Sequence, residues 1–93
     1  MPIKSFKCKD TEQLFSGIRV VKFISFERVA IRKLAMLNRI VRVEELLTPP
    51  NNRLELLKGK RKGFWSIRIN DQWRLCFRFV DGSAIDVEII DYH

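Results

Sequence analysis

Histidine occurs once and cysteine twice in these 93 residues, and no apolar run approaches the roughly 18 residues that a membrane-spanning helix needs. Each scarcity closes a class of function. Cys8 and Cys76 are too few and too far apart for a zinc set, and one histidine does not complete it; two free thiols in a reducing compartment are the expectation. Lysines and arginines interrupt every apolar candidate, and the opening MPIKSFKCKD has no apolar signal segment. A cytoplasmic protein without a membrane partner is therefore expected. The chain is also short. A domain of 11.1 kDa buries only roughly 60–65% of the surface its unfolded form exposes, so an enzyme-sized cavity is hard to build. Chemistry in such a domain belongs on an open surface, with a partner large enough to complete the site. The composition, 46% apolar and 31% charged, is that of one globular domain over residues 1–93.

Acidic residues are the minority, eleven against eighteen lysines and arginines, for a net charge of +7. That balance favours a polyanionic partner such as nucleic acid or an acidic protein. Its placement is uneven. Residues 58–78 hold Lys58, Lys60, Arg61, Lys62, Arg68, Arg74 and Arg78 against Asp71 alone, whereas residues 79–93 carry four carboxylates and no lysine or arginine. A positive stripe within one stretch of strands points to nucleic acid more than to a merely solvated face.

The pattern of elements is helices first, strands after. Ile3 to Lys7 alternates imperfectly, as a short strand. Asp10-Thr11-Glu12-Gln13 fits a capping box with Asp10 as the cap, opening a short helix that Gly17 stops. Ile18 to Ile24 is open between irregular chain and an extension of the next helix. From Ser25, a plausible cap, Phe26, Val29, Ala30, Leu34 and Leu37 recur at helical spacing, with Glu27, Arg28, Arg32 and Arg39 opposite. Ile31 and Met36 fall off that stripe, as extra core or as a strip for a partner. A last turn at Val43 to Leu47 is closed by Thr48-Pro49-Pro50, and no helix is expected beyond. Leu54 to Leu57, Phe64 to Ile69, Trp73 to Val80 and Ala84 to Ile90 read as strands.

Alternation also sets a register. A three-residue turn at Asn70-Asp71-Gln72 pairs Ile69 with Trp73, Ile67 with Leu75 and Trp65 with Phe77, which turns both apolar rows toward the helices and puts Arg68 opposite Arg74. Like charges in that position cost stability, which an anion between them, or Glu88 diagonal to Arg74, would offset. For the next turn, a two-residue loop at Asp81-Gly82 would carry Asp86 into the core row. A three-residue loop, Asp81-Gly82-Ser83, is therefore expected, pairing Phe79 with Ile85, Phe77 with Val87 and Leu75 with Ile89, and facing Arg78 with Asp86 and Cys76 with Glu88. The fold class is α+β, two or three N-terminal helices on one face of an antiparallel sheet whose other face is open and basic.

Lys4-Ser5-Phe6, Arg32-Lys33-Leu34, Leu57-Lys58-Gly59, Trp65-Ser66-Ile67, Trp73-Arg74 and the ending Asp91-Tyr92-His93, in this order and spacing, resemble the HigB toxins of the RelE/ParE toxin–antitoxin superfamily. Pro49-Pro50-Asn51-Asn52-Arg53-Leu54-Glu55 and Asn70 through Phe77 further resemble its GraT-type sub-branch. The resemblance spans nearly the whole chain. It implies a RelE-like fold and a ribosome-dependent messenger-RNA endonuclease that inhibits translation from the decoding site. It also implies neutralisation by a HigA-type helix-turn-helix antitoxin, through which alone DNA is contacted. No metal or other cofactor is implied.

Carried over position by position, Asp91, Tyr92 and His93 match the family's catalytic terminus, Lys58 its Leu-Lys-Gly lysine and Arg74 its Trp-Arg arginine. Where the better-known pattern reads Leu-His-Pro-Leu-Lys-Gly, this chain has Leu54-Glu55-Leu56-Leu57-Lys58-Gly59, so Glu55 replaces a histidine. A carboxylate can act as a base but offers no imidazolium charge beside phosphate. Arg53, Lys60, Arg61, Lys62, Arg68 and Arg78 are the expected RNA contacts. Two other functions stay open on the residues, a ParE-like topoisomerase inhibitor and a non-enzymatic RNA-binding module. The antitoxin is expected either on the stripe at 58–78 or on the helical side through Ile31 and Met36.

Overall fold

The computed structural model describes residues 2–91; Tyr92 and His93, two of the expected site residues, lie outside the described residues. Two helices, α1 (Lys9–Phe15) and α2 (Glu27–Leu37), pack on one face of a four-stranded antiparallel sheet. Its strands run in the order β1 (Glu55–Leu56), β2 (Trp65–Arg68), β3 (Trp73–Val80) and β4 (Ser83–Asp91). The α+β expectation holds. No helix among the described residues is long and apolar enough to cross a membrane, and Cys8 and Cys76 are both free thiols.

The expected stripe of α2 is the buried one: Phe26, Ala30, Leu34 and Leu37 are buried and Val29 packs against them. Ile31 is exposed, while Met36 packs against the core and so does not belong to an outward strip. The helix starts differently from the expectation. Residues 21–26 form a 3₁₀ turn, Ser25 lies inside it, and α2 follows without a side-chain cap. Aromatic docking sets the entry instead, because Phe23 and Phe26 are buried against each other and against Trp73 of β3, with ring centroids 5.1–5.8 Å apart. Asp10 likewise does not cap α1, which begins at Lys9. Its carboxylate stands in the first turn, where the helix N-terminus favours it, and pairs with Lys22 at 3.0 Å.

Val43–Leu47 is a 3₁₀ turn, as its position suggested, and Glu45 organises its start: the N–H groups of Val41 and Arg42 donate to Glu45 Oε2 at 2.7 and 2.8 Å. These two bonds hold the Glu45 carboxyl below the usual carboxylate range. Helical turns continue past the prolines, contrary to the expectation, in short 3₁₀ segments at Pro50–Asn52 and Gly59–Arg61.

In the sheet, Trp65 pairs with Phe77, Ile67 with Leu75 and Arg68 with Arg74, and Glu55 pairs with Ser66. The β2–β3 register is the expected one. Between β3 and β4 neither simple register holds throughout. Near the turn, Val80 pairs with Ser83, Phe79 with Ala84 and Arg78 with Ile85, which is the two-residue loop; beyond a bulge, Cys76 pairs with Glu88 and Leu75 with Ile89, as the three-residue loop required. Asp86, at φ +54°, takes up the extra residue. The carboxylate that argued against the tight loop is thereby kept from the core row, and it lies 3.7 Å from Arg78. The N-terminal segment completes this region. Ile3 and Phe6 bridge to Ala84 and Val87 in parallel, Ser5 Oγ accepts from the Asp86 N–H at 2.9 Å, and Thr11 Oγ1 accepts from the Ile89 N–H at 3.0 Å.

Candidate active site

On the face of the sheet turned away from the helices the side chains form rows, since directly paired residues share a face. One row runs Glu55, Ser66, Cys76, Glu88 across all four strands; the next holds Arg68, Arg74 and Ile90. Alternation in β2 and β3 gives these positions to the side away from the helices because Trp65, Ile67, Leu75 and Phe77 fill the core.

Arg74 sits where the two rows meet. Its Nε donates to Ser66 Oγ at 2.8 Å, and one terminal nitrogen donates to the Arg53 carbonyl at 2.6 Å and to the Ser66 carbonyl at 3.4 Å. A guanidinium held on three acceptors keeps its planar fork in one orientation. Arg53, Arg68, Asn70, Asp71 and Arg74 line a depression of about 200 Å³ at this end of the sheet. Three arginines around so small a hollow suit a single phosphate group. Asp71, the expected lone counter-charge of the stripe, pairs with Arg68 at 2.5 Å.

Glu55 is exposed on the edge strand, directly opposite Ser66 and hence beside the residue that holds Arg74. Among the described residues it makes no ion pair, so a purely structural bridge from Glu55 to Lys58 or Arg53 is not formed. Glu55 and Lys58 line a second depression of about 360 Å³ along the same edge. Burial pushes the Cys76 thiol up to about 11, against the pull of Arg61 and Arg74 and together with Glu88 and Glu55. Its thiol is therefore neutral and a poor nucleophile at neutral pH.

The remaining expected residues divide. Asp91 pairs across the ladder with Trp73, one position beyond the Arg74–Ile90 pair, and its Oδ2 accepts from Gln72 Nε2 at 3.0 Å. Arg61 lies over the sheet and pairs with Glu88 at 3.5 Å, so that carboxylate is engaged by Arg61 as well as being diagonal to Arg74. Lys60 and Lys62 are exposed on the turn between β1 and β2. Arg78 stands four residues along β3 from Arg74, about 13 Å at the strand rise, and pairs with Asp86. The stripe of the sequence is thus divided: Arg68 and Arg74 join Arg53 around a hollow, Lys58 lies with Glu55 along the edge, and Lys60 and Lys62 on their turn and Arg78 on β3 line neither depression. Among the described residues no group of three or more His, Cys, Asp or Glu side chains is placed to hold a metal ion.

Sequence reasoning missed Ser66, Asn52 and Lys33. Ser66 is fully buried and anchors Arg74, and its signal was a small hydroxyl between Trp65 and Ile67 in an otherwise bulky strand. Lys33, seven residues after Phe26, occupies the buried stripe of α2 and donates to the buried Asn52. The heptad spacing was visible, but a lysine on it was not read as core.

Residues 4–93 match the HigB-like toxins, described as the RelE-like toxin of type II toxin–antitoxin system HigB. The chain is 41% identical over 83 residues to Toxin HigB-1 of Vibrio cholerae, covering 87% of each chain. It is 36% identical over 93 residues to Endoribonuclease HigB of Proteus vulgaris, covering 98% of this chain and 99% of that one. Its fold is similar to that of the YoeB–YefM complex from Staphylococcus aureus, with TM-score 0.63, 22% identity and coverage of 98% and 94%. YafQ from Escherichia coli is similar at TM-score 0.54 and 13% identity, with coverage of 96% and 90%.

Proposed function

The chain belongs to the HigB-like family of RelE-like toxins of type II toxin–antitoxin systems, and from that premise we propose that it is a ribosome-dependent messenger-RNA endonuclease. An antitoxin is its partner by virtue of the system it belongs to. In this reading that antitoxin is a HigA-type helix-turn-helix protein that alone contacts DNA. The toxin, one domain over residues 1–93, works in the cytoplasm on ribosome-bound message.

The observation that carries the proposal is the hollow of Arg53, Arg68 and Arg74 beside the exposed carboxylate of Glu55. The reaction such a site serves is transfer of a phosphoryl group within RNA from a 5′-oxygen to the adjacent 2′-oxygen. Glu55 takes the proton of a ribose 2′-hydroxyl, and the 2′-oxygen attacks the adjacent phosphorus. The arginines and Lys58 balance the charge that builds on the phosphorane oxygens. The bond from phosphorus to the 5′-oxygen then breaks, and His93 returns a proton to that oxygen. The products are a 2′,3′-cyclic phosphate and a 5′-hydroxyl end, with no electrons gained or lost. Tyr92 and Asp91 orient the terminus, while Lys60, Arg61, Lys62 and Arg78 contact RNA farther along the face. A flat site without a deep pocket suits a substrate whose bases the ribosome already presents.

Removal of His93 tests the proposal. General acid–base groups contribute roughly 10²–10⁴-fold, so cleavage is expected to fall by that factor with an unchanged melting temperature. An unchanged rate would remove His93 from the chemistry.

A further inference from the structure

Lys33 is a costly way to fill a core position, for its ammonium is buried on the inner stripe of α2 and its hydrogen-bond partner is an amide instead of a carboxylate. Nζ donates to Asn52 Oδ1 at 2.5 Å. Asn52 is fully buried in turn; its Nδ2 donates to the carbonyls of Leu46 at 3.0 Å and Thr48 at 3.4 Å and touches Met36 Sδ at 3.4 Å. One side chain thus ties α2, the turn at 43–47 and the proline segment together. The next residue is Arg53. It stands at φ +48°, a conformation that a residue with a Cβ holds only when its surroundings impose it, and its carbonyl takes the 2.6 Å bond from Arg74. Two residues on, Glu55 lies opposite Ser66, the other anchor of Arg74.

We propose that Lys33 and Asn52 are positioning residues for Arg74: their buried hydrogen bond fixes the Arg53 carbonyl, and through it the guanidinium that faces the phosphate hollow. Neither touches RNA. The inference rests on the assignment of Arg74 to the reaction made above. Burial, followed by the charges of Arg32 and Arg68, also lowers the Lys33 pKa.

The test is single-turnover cleavage on programmed ribosomes, with Lys33→Met made in the wild type and in Arg74→Lys. Methionine keeps the apolar stem and removes the donor. In the wild-type background the maximal rate is expected to fall about tenfold or more, with the half-saturating ribosome concentration changed less than threefold. In Arg74→Lys, whose planar fork is already lost, Lys33→Met is expected to cost less than twofold further. Lys33→Arg, which keeps a donor, is expected to retain at least a third of the wild-type rate. A merely structural lysine would lower the rate by the same factor in both backgrounds, in step with melting temperature, and that result overturns the inference, as does a wild-type rate for Lys33→Met. Should that variant not fold, Asn52→Asp tests the part that Asn52 plays in the same arrangement, because it keeps an acceptor for Lys33 and removes the donors to Leu46 and Thr48; equal factors in both backgrounds again overturn it. Full cleavage by Arg74→Lys alone would instead refute the assignment of Arg74 itself.

Discussion

In the proposed reaction Glu55 on the edge strand is the proton acceptor and Arg74, held by Ser66 on the neighbouring strand, is the fixed cation. An exposed carboxylate with no ion pair among the described residues has its lone pairs available. Glu55→Gln keeps the shape and loses the base, and cleavage is expected to fall about 10²-fold or more at unchanged ribosome affinity. Single-turnover rates on saturating programmed ribosomes check this; a loss under about tenfold would make Glu55 a bystander. Cys76 supplies a prediction of a different kind. Its thiol titrates near 9 when the chain is unfolded and about 11 when folded, so the folded state holds the proton longer. The stability this represents is fully present below pH 9 and is lost as pH rises from 9 to 11, with a ceiling of about 3 kcal/mol. Urea unfolding of the wild type is expected to weaken over that window, and Cys76→Ala to flatten the slope. Identical slopes in the two proteins would place the thiol titration elsewhere.

The bulge in β4 is the element that the site and the core both depend on, since it lets a tight turn at Asp81-Gly82 coexist with the Cys76–Glu88 and Arg74–Ile90 pairs. Its backbone is satisfied from the N-terminal segment, and Thr11 is the most deeply buried part of that arrangement. Thr11→Val strands the Ile89 N–H in the interior and is expected to cost about 1–3 kcal/mol in chemical unfolding, whereas Thr11→Ser keeps most of the stability. Equal stability of the two would mean that Ile89 finds another acceptor. The same element marks where sequence reading ran out. In β2 and β3 two apolar rows and the turn between them admit one register, so Arg68 opposite Arg74 was legible from alternation. In β4 each simple register satisfied half of the strand, and alternation has no term for a residue that leaves the ladder. The starts of α1 and α2 were missed for a related reason: Asp10 and Ser25 have capping chemistry, but Phe23, Phe26 and Trp73 decide the boundary of α2 from a distance of nearly fifty residues. Lys33 was illegible because charge outweighed spacing, and the side chain that accepts its hydrogen bond is nineteen positions away.

At the scale of the molecule the positive charge is graded, with Arg53, Arg68 and Arg74 around one hollow and exposed lysines on the turn after β1. Lys60 and Lys62 should therefore govern attraction to the ribosome and not the chemical step. Replacing both by alanine is expected to lower the slope of log affinity against log salt by about 1–2 and to leave the rate at saturation within about twofold. A large loss of saturated rate would move them into the site. Whether this open basic face cuts message only when a ribosome presents it is tested most directly by primer extension on one messenger RNA, translated or free of protein, with the toxin added to each. New 5′ ends are expected only on the translated message. Equal cutting of the free RNA, or no cutting at all accompanied by defects in DNA supercoiling, would contradict a ribosome-dependent endonuclease.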